Sequence, residues 1–253
     1  MKRFYRIEHH GTDRHVVEDG DRWHLVDGDI FGSWKAGASI SASAQRFLAP
    51  VAPSKIVAIG RNYKDHAAEL GNPLPVEPLI FLKPPSAIVG PDEPIVIPDG
   101  VGRVDHEAEL GVVIGRRAHK VSEQEAASYV FGLTCVNDVT ARELQKKDVQ
   151  FTRAKGFDTF APVGPCIVTG LDYRSPDGLQ VEGWVNGERR QSGSTSALIF
   201  SIDRLIAFVS AVMTLLPGDI ISTGTPAGVG PMKAGDRVTV KIAGVGELTN
   251  PVQ

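Results

Sequence analysis

Val104-Asp105-His106-Glu107-Ala108-Glu109-Leu110-Gly111-Val112-Val113-Ile114 is the stretch on which the reading of this chain turns. Its Val- and Ile-rich end predicts a β-strand, in which successive side chains alternate between two faces. Glu107 and Glu109 then point the same way, roughly 7 Å apart along the strand, and Ala108 and Leu110 face the other side. Two anions on one face of an apolar strand are costly to bury unless something positive sits between them. A hard divalent cation is the candidate. On spacing alone, a solvated face of an edge strand explains the pair better.

The chain has 253 residues, enough for one large domain with a small appendage. Lys and Arg number 27 against 30 Asp and Glu, a net charge of −3 that argues against broad attraction to nucleic acid or an anionic membrane. The two cysteines, Cys135 and Cys166, lie in apolar surroundings and read as reduced, buried thiols rather than a disulfide scaffold or zinc site. Met1-Lys2-Arg3-Phe4-Tyr5 has no apolar signal core, and the longest apolar run, 205–216, is too short to span a bilayer. A cytoplasmic protein with no nucleic-acid or membrane partner is expected.

In chain order, residues 3–8, 15–18 and 23–26 predict a small β meander, with turns at Asp19-Gly20-Asp21 and Asp27-Gly28-Asp29. Pro50 and Pro53 mark a connector, with a boundary near residue 50. After a buried strand at 56–59, Asn62 with Asp65 resembles a helix start and Gly71 a stop. Such a helix spans about two turns, too short to be stable by propensity, and a proline-rich segment, 72–78, follows it. Together they read as a lid. Ser122 to Glu125 and Thr140 to Glu143 resemble capping boxes opening helices to about 131 and 147, around a strand at 133–138. Asn186-Gly187 predicts a hairpin, residues 201–216 the best helix, and 237–242 and 246–249 closing strands.

Glu107, Glu109 and Asp138 form an all-oxygen set that suits Mg²⁺ or Mn²⁺ better than Zn²⁺. His66 and Glu69, three residues apart, would share a helical face, and such a pair can act as a general base. Lys155, between small and aromatic residues, can serve as an anion or oxyanion donor. Read singly, an exposed histidine and a surface lysine are the better explanations. The glycine-rich Gly224–Gly230 loop can turn backbone N–H groups toward an anion. It matches neither a P-loop nor a dinucleotide fingerprint.

Five segments stand together in a recognisable order. They are Gly60-Arg61-Asn62-Tyr63 with His66 and Glu69; His106-Glu107-Ala108-Glu109-Leu110; Asn137-Asp138-Val139-Thr140; Lys155-Gly156-Phe157-Asp158; and Gly218-Asp219 leading to Thr223-Gly224-Thr225-Pro226. In this order they resemble the fumarylacetoacetate hydrolase family over about residues 54–250. The resemblance implies an α+β, mainly β fold: the mixed β-roll of that family's C-terminal type over 51–253, after a small β extension over 1–50. It implies a homodimer, and Mg²⁺ or Mn²⁺ held by Glu107, Glu109 and Asp138. His66 and Glu69 match a lid-borne dyad that activates water, and Lys155 a lysine that supports developing negative charge. Arg61, Tyr63, Arg142, Gln145 and Thr225 would hold a small 2-oxo acid or its enol.

The expected reaction is cleavage of a C–C bond in that acid, by acylpyruvate hydrolysis or oxaloacetate decarboxylation, through a metal-stabilised enolate. One alternative is an isomerase or tautomerase of a hydroxymuconate- or hydroxyheptadienedioate-type diacid in aromatic catabolism. Another, of a different class, is a non-catalytic metal- or metabolite-binding protein.

Overall fold

Ala108–Ile114 pairs antiparallel with Val130–Asn137 on one side and Ile220–Ser222 on the other. It is an interior strand with every residue buried, in place of the edge strand that spacing alone favoured. Leu110, Val112 and Ile114 enter one core and Val113 the core on the opposite face, the period-two alternation of a strand covered on both sides. A carboxylate here has no bulk water to fall back on. The computed structural model describes residues 1–20, 22–41, 45–69, 71 and 73–253. Asp21 of the expected turn, and Leu70 and Asn72 of the expected lid, lie outside the described residues.

The single strand expected over 104–114 is two. Val104–His106 belongs to a separate three-stranded sheet with Thr140–Ala141 and Gly230–Pro231, and Glu107 stands at the break. The cause is local. The Glu107 N–H donates to Asn137 Oδ1 (3.0 Å), and its carbonyl accepts the Asp138 N–H (2.9 Å). A side-chain acceptor thus replaces a ladder partner, and the chain turns between sheets.

The main sheet continues outward from this strand. On one side follow Val130–Asn137, Ala161–Thr169, Lys2–His9, Thr12–Asp19, Arg22–Gly28 and Trp34–Ile40; on the other, Ile220–Ser222, Ile56–Gly60 and Leu79–Lys83. Ile220–Ser222 and Ile56–Gly60 run parallel, so the sheet is mixed. The first fifty residues join it edge to edge through Lys2–His9 and Ala161–Thr169, and Phe4, Val17 and Val26 pack on Val113, Ile167 and Ile220. Over the other face lie the helix Ile202–Val212 and a four-stranded sheet of Gln180–Val185, Glu188–Ser194, Arg237–Ile242 and Gly246–Pro251. This is the α+β, mainly β mixed roll that was expected. Asn186 and Gly187 take φ of 52° and 80°, as a type I′ hairpin requires.

Three helices differ from expectation. Between Ser122 and Phe131 only one 3₁₀ turn forms, Ala126–Tyr129. Ser122 and Glu125 do bond each other, but Val130 is already in a strand, which leaves no length for a helix. Thr140 is a strand residue whose hydroxyl donates to the Asp138 carbonyl (2.8 Å), so the next helix starts at Arg142 without a side-chain cap. The helix capped by Ser201 stops at Val212, because Leu215 exchanges both backbone bonds with Ala118. The short helix expected after Asn62 is Lys64–Glu69, and Asn62 spends its amide on Phe200 and Thr223 rather than on a cap. Cys135 and Cys166 are both buried and free. Among the described residues no helix is long and apolar enough to cross a membrane.

Candidate active site

The break at Glu107 brings three carboxylates together. Glu107, Glu109 and Asp138 are all buried, and each offers one oxygen within 4.8 Å of the others. An all-oxygen set of this size and charge fits a hard divalent ion. Cations already surround it. Lys155 Nζ donates to Glu107 Oε2 (2.9 Å), Asp138 Oδ2 and Thr140 Oγ1 (2.7 Å). Lys83, wholly buried, donates to Asp138 Oδ1 (2.5 Å) and the Val139 carbonyl (3.2 Å). Arg142 reaches Glu107 Oε1 (2.6 Å), Asp105 Oδ2 (2.8 Å) and Gln145 Oε1 (2.9 Å).

Glu109 is different: its donors are neutral, Ser222 Oγ (2.5 Å) and the Gly224 N–H (3.0 Å). Gly224 must be glycine. Its φ is +100°, and a Cβ there would fall 2.8 Å from Asn62 Cβ.

The ionisation of the triad follows from these partners. Burial, with the charges of Asp138 and Glu107 beside it, pushes Glu109 up to about 8. Burial would also raise Glu107, but Lys155 and Arg142 outweigh it and hold that carboxyl well below the usual range. The two lysines on Asp138 move apart. Burial and the nearby Lys155 charge push Lys83 down, whereas the pull of Asp138 and Glu107 overcomes the burial of Lys155 and raises it.

A pH dependence follows for Glu109. Between its ordinary 4.5 and about 8 the folded metal-free protein keeps a proton that the unfolded chain has released. Stability therefore falls as pH rises through that window and levels off above it. Below about 8, a cation must expel that proton to bind, so Mn²⁺ affinity should rise by about tenfold per pH unit toward 8 and then flatten. Titration calorimetry in buffers of different ionisation heat would read the released proton; a flat affinity from pH 6 to 8 would refute it.

A cavity of about 290 Å³ opens onto the triad, and its walls include Arg61, His66, Phe81, Arg142, Gln145, Lys146, Phe151, Lys155 and Thr225. His66 is buried, and its Nδ1 lies 3.1 Å from Glu69 Oε2. A carboxylate can only accept, so Nδ1 carries the proton and Nε2 is the basic nitrogen of a ring that lines the cavity. The other Glu69 oxygen accepts the Gly228 N–H (3.0 Å). The glycine-rich loop therefore does turn N–H groups toward carboxyl oxygens, and these are the protein's own Glu109 and Glu69. Arg61 and Lys146, among the described residues, have no ion-pair partner and line the cavity as unpaired cations.

Residues 55–253 match the family model described as fumarylacetoacetate (FAA) hydrolase C-terminal. The chain belongs to the fumarylacetoacetate hydrolase family. It is 42% identical over 242 residues to a Bacillus subtilis relative named oxaloacetate tautomerase YisK, covering 91% of this chain and 79% of the relative. A crystal structure described as 5-carboxymethyl-2-hydroxymuconate delta-isomerase from Mycobacterium smegmatis superposes with a TM-score of 0.91 at 45% identity, covering 99% and 98% of the two chains. One described as 2-hydroxyhepta-2,4-diene-1,7-dioate isomerase from Mycobacterium marinum gives 0.92 at 43% identity, with 100% and 98% covered.

Within this family member, the structure brings Glu107, Glu109, Asp138, His66, Lys155, Arg61, Arg142, Gln145 and Thr225 to one cavity. Glu69 stands behind His66. Tyr63 is not on the cavity wall: its hydroxyl is buried with no partner among the described residues, close enough to Glu109 to feel its charge. Sequence reasoning missed Lys83, Asn137, Ser222 and Gln191. Lys83 could have been suspected, since a lysine closing the apolar Leu79–Lys83 strand before two prolines has no evident route to water. Gln191 carried no such signal.

Proposed function

We propose that this chain is a divalent-metal-dependent isomerase of small 2-oxo dicarboxylic acids, moving a proton between the oxo form and its enol. The observation that carries the reading is the His66–Glu69 pair, whose basic Nε2 belongs to a ring on the wall of the carboxylate-lined cavity. Mg²⁺ or Mn²⁺ held by Glu107, Glu109 and Asp138 would supply Lewis acidity that polarises the 2-oxo group. His66 would take the proton from the carbon beside that group and the resulting enolate oxygen would be protonated in its place, the reverse order regenerating the oxo form, while Glu69 holds the tautomer and stabilises the imidazolium. Lys155 meets the developing charge by exchanging one of its three present acceptors for the substrate oxygen. Arg61 and Lys146 suit a second carboxylate, and Phe81 and Phe151 limit water. The tautomerase and two isomerases named above support proton transfer, while other similar proteins carry hydrolase names, among them a maleylpyruvate hydrolase, and keep cleavage as the second reading.

C–C cleavage is the second reading, favoured by the cationic wall of Lys155 and Arg142 that could stabilise charge left by a departing group. The two part in one assay. Oxaloacetate with Mg²⁺ should show ultraviolet absorbance relaxing between enol and keto forms faster than the uncatalysed rate, without pyruvate formation and not after EDTA. Pyruvate or acetate production with no tautomer relaxation would overturn the order. Arg61→Ala should raise KM for the dicarboxylate by about tenfold with kcat little changed, as expected for one lost charged hydrogen bond. The homodimer belongs to the same proposal: Leu74, Val76, Leu79 and Leu82 are exposed on and after the lid, and sedimentation velocity would read the assembly.

A further inference from the structure

Gln191 takes no part in the chemistry proposed above, yet it is wholly buried and fully bonded. It comes from the second hairpin arm, Glu188–Ser194. Its Oε1 accepts the Ala108 N–H (2.9 Å) and lies 3.1 Å from His106 Nδ1. Its Nε2 donates to the Pro226 carbonyl (2.7 Å) and to Thr225 Oγ1 (2.7 Å). Gly183 faces it across the hairpin, and a Cβ there would fall 2.6 Å from Gln191 Oε1, so the glycine makes the room the amide occupies.

This amide cannot be turned over. A backbone N–H only donates and a carbonyl only accepts, so Ala108 and Pro226 fix which end is oxygen and which is nitrogen. His106 must then carry its proton on Nδ1, and Thr225 must accept from Gln191. The Thr225 hydroxyl has a single proton, and the Ala108 carbonyl takes it at 2.8 Å. One lone pair is all that Thr225 has left, and Thr225 lines the cavity. While its proton stays hydrogen-bonded to the Ala108 carbonyl, a carboxylate or oxo oxygen draws no hydrogen bond from it. An O–H group can donate one to it. Ala108 also separates Glu107 from Glu109, so the same amide holds the backbone between two carboxylates of the triad.

We propose that Gln191 is a positioning residue that makes the Thr225 wall of the cavity proton-accepting only, so that the site distinguishes a hydroxyl-bearing ligand, such as an enol, from one that offers acceptors alone. The inference rests on the 2-oxo acid reading, in which one ligand alternates between an oxo and an enol form.

The test is calorimetric binding of malonate and hydroxymalonate, which differ by one hydroxyl, to the Mn²⁺-loaded protein. Thr225→Val should weaken hydroxymalonate by about tenfold and leave malonate within about twofold, the scale of one hydrogen bond. Thr225→Ser should restore the wild-type pattern. Gln191→Leu removes the donor that occupies one Thr225 lone pair and the support of the Ala108 N–H. The hydroxyl is then less firmly held on the Ala108 carbonyl, and the preference for hydroxymalonate should narrow; if that variant does not fold, the Thr225 pair decides. Should malonate weaken as much as hydroxymalonate in Thr225→Val, or should neither change, the proposal falls while the 2-oxo acid reading stands. Failure of the wild type to bind either acid with Mn²⁺ would sink that reading and the proposal with it.

Discussion

His66→Gln is expected to lower kcat roughly 10²–10⁴-fold, the range that a positioned general base contributes. Glutamine keeps the approximate shape and polarity but has no basic nitrogen. Nothing in the triad contacts His66 through a hydrogen bond, so Mn²⁺ affinity should stay within about twofold, which is a few tenths of a kcal/mol. The thermal midpoint should also hold, because the Lys64–Glu69 helix is short and half-exposed. Glu69→Gln should cost less. It retains an acceptor for Nδ1–H but loses the charge that stabilises the imidazolium, and its amide can swing to present N–H instead. Stopped-flow absorbance on oxaloacetate, with Mn²⁺ binding measured in parallel, would read both. Equal loss of metal affinity and turnover in His66→Gln would move His66 from the chemistry to the support of the triad.

Lys155→Met should cost about 3–5 kcal/mol of stability without a divalent ion, the usual result of leaving buried charge uncompensated. Lys155 is the common donor to Glu107 and Asp138, and both are buried. Lys83 still serves one oxygen of Asp138 and Arg142 one oxygen of Glu107, which is why the loss should stop short of unfolding. Mn²⁺ in excess should recover most of the deficit, since an ion that binds only the folded state adds stability by mass action and replaces the missing positive charge. Urea unfolding with EDTA and with Mn²⁺ measures the difference. The same loss under both conditions would show that the lysine supports packing rather than charge, and that the triad takes up no ion. Turnover should remain low even with Mn²⁺, because no ammonium is left to meet charge on the substrate.

The sequence was sufficient where the physics is local. Asn186-Gly187 specifies a hairpin because both residues tolerate positive φ, and the structure places them there. The Val- and Ile-rich run after Glu109 specifies a strand, and the all-oxygen donor set suits a hard divalent ion. The short helix over Lys64–Glu69 and the closing strands were legible for the same reason. Capping boxes misled because a cap only permits a helix. At Ser122 and Thr140 the neighbouring strands claim the residues first, and tertiary hydrogen bonds outweigh a preference of about a kcal/mol.

Only the tertiary structure decided that Glu107 stands at a break between sheets. The bond responsible comes from Asn137, thirty residues away. The break turns two glutamates expected along one strand into a cluster with Asp138. Lys155, Arg142 and Gln191 arrive from elements with no local relation to the Glu107 strand; the first two hold Glu107 ionised, and the third bonds Thr225 from behind the cavity wall. A residue's type and spacing can be read along the chain. Its charge state and the direction of its proton depend on partners as far as 117 positions away, and only folding brings those together.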